Sequence, residues 1–285
     1  MAWLGRGLAL GRRTLCAGSP CRLLLAGTVL VILAVGAAAV SGALLSALAA
    51  RAGLVGPLLT GVGLWLLLAL RGLFTAAFAV RGPLASGELP RARTALAWHL
   101  VSRPTGELDA ALVASGAIES VAENLTDAFV APVVFFLVFG LPGAAVYRAV
   151  NTADAMLGYR DGALEYFGKA SARLDDLLNL VPARLAGLAL VAAAPLAGAD
   201  GRGAWRVLVR DRSRTASPNA GWTMAPMAGA LGVALEKPGA YRLGDGRPAR
   251  ADDIAAAVRL TALAGGLATL AALAALAVAR TYCRT

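Results

Sequence analysis

Residues 23–70 carry one charged side chain, Arg51, set between apolar runs and followed by Gly53 and Pro57. A helix needs about 20 apolar residues to cross a hydrocarbon layer, so a stretch of this length holds two crossings, joined where Gly and Pro interrupt it. Three further apolar stretches follow, over 128–146, 177–199 and 254–279, the second of them carrying Pro182 and Arg184. With 58% hydrophobic and only 15% charged residues, the chain has the composition of a multi-pass membrane protein. Small residues dominate the apolar stretches, which lets helices approach closely. No alternating strand pattern of useful length is present, so the expected class is all-α: a polytopic membrane helical bundle with polar cytoplasmic loops. One integral membrane domain is expected over 1–285, with a basic segment and hairpin at 1–80, a core at 81–253 and a last membrane helix at 254–285.

The basic residues orient this bundle. Arg6, Arg12, Arg13 and Arg22 precede the first apolar stretch, and Arg71, Arg81, Arg91 and Arg93 follow the hairpin. Positive loops mark the cytoplasmic side, so both flanks are expected there, in the plasma membrane. The first apolar stretch is too long for a signal peptide and a second follows at once, which predicts a retained anchor. The same rule accounts for the net charge of +10 without nucleic acid, for which no motif is present. Cys16, Cys21 and Cys283 have no metal-ligand spacing, and His99 is the only histidine. A zinc centre and a Ser/His/Asp triad are therefore not expected; His99 beside Trp98 reads as an interfacial residue.

Polar groups at the edges of apolar stretches are costly unless they do something. Glu119, Glu123 and Asp127 recur at i, i+4, i+8, a spacing that aligns three carboxylates on one helix side, with Asn124 beside them. Two readings stand: a magnesium site for a nucleotide, or a solvated face paired with arginines. Arg148, Asn151 and Asp154, next to Tyr147, put a cation, an amide and a carboxylate on one face, as a site or as an interfacial network. On the following helix Lys169, Arg173 and Asp176 share one face, and Asp175 and Asn179 another. Residues 162–170 approximate a P-loop but have Ala170 where a hydroxyl must hold magnesium, so that motif is rejected. Ser217, Asn219 and Gly221 form a turn before a helix, suited to a phosphate or to an ordinary helix entry. Arg202, Arg206, Arg210 and Arg214, every fourth residue beside Trp205, read as a stripe for anionic lipid.

Four ordered motifs carry a resemblance. They are Ile118-Glu-Ser-Val-Ala-Glu-Asn-Leu-Thr-Asp127; Tyr147-Arg-Ala-Val-Asn-Thr-Ala-Asp-Ala-Met-Leu-Gly-Tyr-Arg160; Phe167-Gly-Lys-Ala-Ser-Ala-Arg-Leu-Asp-Asp176 with Asn179 and Pro182-Ala-Arg184; and Ser217-Pro-Asn-Ala-Gly-Trp222 with 227–233. Together they resemble the CobD/CbiB family of cobalamin biosynthesis. That resemblance implies adenosylcobinamide-phosphate synthase, a membrane ligase that uses ATP and Mg2+ to join a corrinoid carboxylic acid to an amino alcohol or its phosphate. It implies catalytic roles for Glu119, Glu123, Asn124, Asp127, Arg148, Asn151, Asp154, Lys169 and Arg173. By the same token metal ligands come from Glu119, Glu123, Asp127, Asp175 and Asp176, nucleotide contacts from Ser217, Asn219 and Gly221, and association with other late cobalamin-pathway enzymes is expected. This chain departs from the family pattern in starting near Gly5-Arg6, after the family's usual first apolar segment, in Pro104 after Arg103, in Thr215-Ala216 before Ser217, and in the loose match over 236–241.

One topological problem accompanies this expectation. If 128–146 crosses the bilayer once, Asp127 and Arg148 lie on opposite faces. Either the segment is re-entrant, which Pro132, Gly140, Pro142 and Gly143 favour and which puts them on one face, or the 148–176 region does not touch ATP. A transporter on the same scaffold, moving solute without consuming nucleotide, and a non-catalytic membrane sensor are the competing classes.

Overall fold

The computed structural model describes residues 2–159 and 161–282. Arg160, which closes the second motif, and Cys283 lie outside the described residues. The chain packs as two compact units, each discontinuous in sequence: residues 1–68 with 131–179, and 69–130 with 180–285. These units interleave, whereas the partition drawn from composition runs linearly along the chain.

The first unit begins with α1 (Ala2–Leu15) and α2 (Pro20–Arg51), the latter started by Ser19 and Pro20, whose ring suits a first helical turn. A 3-10 turn at Gly53–Val55 opens α3 (Gly56–Leu67). Gly56 lies against the carbonyl of Ala49 and Gly63 against Leu45, so α2 and α3 form the expected hairpin. The remaining elements are α7 (Ala131–Leu157), α8 (Leu164–Phe167) and α9 (Lys169–Leu178). Leu8, Leu23, Val31, Leu157 and Phe167 form a buried cluster at one end.

Within α7 the helix breaks at Gly140, with φ 65° and ψ −158°, just before Pro142. This backbone region is essentially open to glycine alone. Beyond the break the chain reverses. The rings of Phe135 and Tyr147 stack at 5.3 Å, although a straight helix would separate them by about 18 Å. Gly143 likewise backs onto Phe139 and the carbonyl of Phe135. The first arm, 131–139, adds roughly 13 Å to the helical run that α6 and the π turn begin. Its tip packs where Gly42 of α2 meets Pro142 and where Gly63 of α3 meets Leu141. From Gly42, α2 runs about 13 Å further to Arg51, so the tip stops short of that end. This is the geometry of a re-entrant helical hairpin.

The second unit contains α4 (Leu70–Ala85), α5 (Leu89–His99), α6 (Ala110–Leu125), a π-helical turn (Thr126–Val130), α10 (Leu180–Leu196), α11 (Gly201–Asp211), α12 (Gly221–Leu231), β1 (Val233–Lys237), β2 (Tyr241–Leu243), β3 (Arg247–Pro248) and α13 (Ala251–Tyr282). Asp109 caps α6 by accepting the Leu112 amide at 2.8 Å, and α6 is buried throughout 113–122 among α4, α12, α13 and β1. Gly203 and Gly229 let α11 and α12 touch backbone to backbone. The three-stranded sheet, order β2-β1-β3, has β1–β2 antiparallel with Lys237 opposite Tyr241. No strand was expected from the sequence. The segments are too short for an alternation to register: Val233, Ala234 and Leu235 are all buried, which is the pattern of a strand covered on both faces.

Among the described residues, four helical stretches are long and apolar enough to cross a membrane by length and composition: Pro20–Arg51, Gly53–Ala85, Ala251–Val278 and Ala110–Leu157, the last of which reverses at Gly140; α9 with α10 would make a fifth. Leu25, Ile32, Leu33, Leu44 and Leu48 of α2 and Leu270 and Leu273 of α13 are exposed, as lipid-facing surfaces require.

Candidate active site

In the second unit the polar groups gather around one turn of α6. Glu119 is buried, and both its oxygens meet protein donors: Ser115 Oγ donates to Oε1 at 2.7 Å, and Tyr241 OH to Oε2 at 2.9 Å. The Arg103 guanidinium stands 3.5 Å from Oε2. Ser115 Oγ in turn accepts the Glu236 amide at 2.7 Å, which ties β1 to α6. Gly116 leaves the room through which Arg103 lies across the helix. Burial, then the charge of Glu119, pushes the Tyr241 phenol above its ordinary value, so it stays a donor.

Beside this network is a cleft of about 210 Å³ lined by Arg103, Glu119, Glu123, Asn124, Lys237 and Tyr241 among others. Glu123 is exposed on it, and Asn124 donates to the Ser120 carbonyl at 2.9 Å. Asp127 is not among the lining residues. It sits in the π turn that follows α6.

The first unit carries the other polar group. Tyr147 OH donates to Asn179 Oδ1 at 2.9 Å, and Asn179 Nδ2 to Asp175 Oδ2 at 3.0 Å. Asn151 Nδ2 reaches Asp175 Oδ1 at 3.3 Å, and Arg148 reaches Asn151 Oδ1 at 3.1 Å. The returning arm of the α7 hairpin is thereby bonded to the end of α9. Asp154 lies within electrostatic reach of Asp175 and Asp176, and Gly158 packs directly on it. Lys169 and Arg173 are exposed on α9.

The Ser217 turn is internally bonded. Ser217 Oγ accepts the Asn219 amide at 3.2 Å, Thr215 Oγ1 accepts the Gly221 amide at 3.1 Å, and Asn219 Oδ1 accepts Arg184 at 2.9 Å. Arg184 and Arg212 both lie against the Trp222 ring, at 4.8 and 5.3 Å. Thr215 thus holds the helix entry.

Among the described residues no three His, Cys, Asp or Glu side chains are grouped to hold a metal ion. Magnesium needs no such cage, because it binds through one or two carboxylates together with nucleotide phosphates and water. Glu123, exposed on the cleft, fits that mode; Glu119 has its oxygens engaged by Ser115 and Tyr241. Arg103 Nε is buried with no hydrogen-bond partner, a donor suited to an anion in the cleft.

Arg103, Ser115, Lys237 and Tyr241 were not singled out from the sequence. Tyr241 meets Glu119 across 122 positions, and no spacing rule reaches that far. Tyr147 and Asn179 stood in the motifs as neighbours of the candidates; Asn179 proves to be hydrogen bonded to Asp175, and Tyr147 to Asn179.

The family described as CobD/Cbib protein matches residues 1–261. Over 174 residues the chain is 49% identical to "Cobalamin biosynthesis protein CobD" of Dehalococcoides mccartyi, covering 61% of this chain and 56% of that one. It is 49% identical over 178 residues to "Probable cobalamin biosynthesis protein CobD" of Methanothermobacter thermautotrophicus, covering 62% and 59%. Against "Cobalamin biosynthesis protein CobD" of Geobacter metallireducens it is 47% identical over 213 residues, covering 73% and 66%. The chain therefore spans between about half and two thirds of the length of these relatives. No solved structure matches it.

Proposed function

The chain belongs to the CobD/CbiB family, and from that premise we propose that it acts in cobalamin biosynthesis as an ATP-dependent ligase of the plasma membrane, its catalytic groups facing the cytoplasm. It joins the carboxylate of adenosylcobyric acid to the amine of an amino alcohol or its phosphate. The observation that carries this reading is the cleft on α6, where a buried carboxylate held by Ser115 and Tyr241 adjoins Glu123, Asn124 and two cations, within a motif shared with the family.

The chemistry proceeds in two steps. A corrinoid carboxylate oxygen attacks the γ-phosphorus of ATP, releasing ADP and leaving an acyl phosphate. The amine then attacks the carbonyl carbon, phosphate departs with that oxygen, and the amine gives up a proton. Arg148, Lys169 and Arg173 offset phosphate charge, while Asn151 and Asp154 orient substrate. Glu123 would hold the metal on the α6 cleft, where it would neutralise phosphate charge; Asp127, which does not line that cleft, and Asp175 and Asp176 are proposed as ligands on their place in the family motifs alone. The Ser217–Gly221 turn, whose Asn219 and Gly221 amides are already bonded, meets a phosphate through Arg184 and Arg212 beside it. Other late enzymes of the pathway are its proposed partners.

Purified protein with Mg·ATP, adenosylcobyric acid and an amine is expected to release one ADP for each amide formed. Asp127→Asn with Asp176→Asn is expected to raise the magnesium requirement; an unchanged rate and magnesium dependence would remove the metal assignment. Transport of corrinoid into proteoliposomes with no ADP formed would replace the ligase with a transporter.

A further inference from the structure

The first unit holds a second, unrelated cavity. A groove of about 720 Å³ runs along α2 beneath α1, bounded by α3 and α7, with Leu8, Leu30, Ala38, Leu45, Leu66 and Ala145 on its walls. Between Leu30 and Leu45 it follows α2 for roughly 22 Å. Apart from Ser41 its lining side chains are apolar, and none of the candidate catalytic residues reaches it.

Its depth follows from the length of α2. With 32 residues α2 is about 48 Å long, well over the roughly 30 Å of hydrocarbon. If Arg51 marks one boundary, the other falls near Leu30. Gly11 packs on Leu30, and Leu8 joins Val31 and Ala34 in one cluster, so α1 lies at that second boundary. The helix is amphipathic: Leu8 is buried, while Arg6, Arg12 and Arg13 are exposed, with no acidic residue in it. Trp3 is 83% exposed with the Arg6 guanidinium 5.8 Å from its ring, a pairing typical of the headgroup zone.

We propose that this groove is a phospholipid site, in which one acyl chain lies along α2 and an anionic headgroup meets the arginines of α1. Charge selects the occupant. A cationic helix over an apolar slot open to the bilayer complements an anionic lipid, whereas a zwitterionic one brings its own cation beside its phosphate and no net charge to the three arginines.

Native mass spectrometry of the detergent-purified full chain, exchanged into micelles containing phosphatidylglycerol or phosphatidylcholine, tests this. The expected result is one retained phosphatidylglycerol and little phosphatidylcholine. Arg12→Gln with Arg13→Gln, both at exposed positions, is expected to weaken phosphatidylglycerol retention about fivefold per arginine. Ala38→Phe, which fills the groove, is expected to abolish it. Equal retention of the two lipids, no effect of the arginine changes, or a second copy of the chain displaced by Ala38→Phe would each overturn the proposal. Since neither set of changes touches the candidate catalytic groups, ligase turnover serves as the control for folding.

Discussion

A carboxylate buried as deeply as Glu119 is tolerable only when its oxygens are met by donors. Ser115 and Tyr241 meet them, and Arg103 supplies the nearby charge. Removing one donor leaves the carboxylate under-satisfied, so Tyr241→Phe is expected to cost about 1–3 kcal/mol of stability and to lower turnover, measured by thermal unfolding and ADP release in detergent. Asp211 makes a second such case. Burial alone would raise its carboxyl, but hydrogen bonds from Arg210 and the Gly244 amide and the charges of Arg210 and Arg214 outweigh it and hold the group below the usual range. A depressed carboxylate stabilises the fold above its unfolded value near 4 and loses that contribution as pH falls through its folded value. Wild type is therefore expected to lose stability below about pH 4 more steeply than Asp211→Asn, which should be less stable than wild type at pH 7. Parallel pH profiles of the unfolding midpoint would contradict this. The local partners Ser115, Arg210 and Arg214 lie within four positions, but Tyr241 and Gly244, 122 and 33 positions away, were out of reach of any spacing rule.

At the scale of elements, the hairpin in α7 decides which groups share a side of the bilayer. The sequence supplied its breakers, Gly140 and Pro142, but a single crossing fitted the same composition; the Gly140 backbone, the stacking of Phe135 on Tyr147 and the contact of Gly143 with the Phe135 carbonyl separate the two. Gly140→Ala forces a side chain into a glycine-only conformation and is expected to cost about 1–3 kcal/mol. Gly42→Val drives a branched side chain into the Pro142 backbone and is expected to unseat the tip. Single cysteines in a background without the native three give the topological result. Glu107→Cys and Ala155→Cys are expected to react from the same side, with Leu54→Cys, wholly exposed at the α2–α3 turn, reacting from the other. Labelling of Glu107→Cys and Ala155→Cys from opposite sides would restore the single crossing. The π turn at Thr126–Val130 escaped the sequence altogether, since an i, i+4, i+8 count assumes the winding it alters.

For the whole molecule, the apolar stretches were legible because membrane spanning depends on composition over 20 residues, which a sequence displays directly. Motif order made the family legible in the same way. The interleaving of two units was not, because it depends on packing between segments distant in the chain. The proposed activity is ATP-driven amide formation through an acyl phosphate, and isotope transfer tests that most directly. Adenosylcobyric acid labelled with 18O in its free carboxylate is supplied with Mg·ATP and an amino alcohol phosphate to the purified chain. The expected result is one 18O in the released inorganic phosphate for each amide formed. Amide formed without label in phosphate would contradict acyl-phosphate activation, and the absence of amide with every amine tried would contradict the ligase itself.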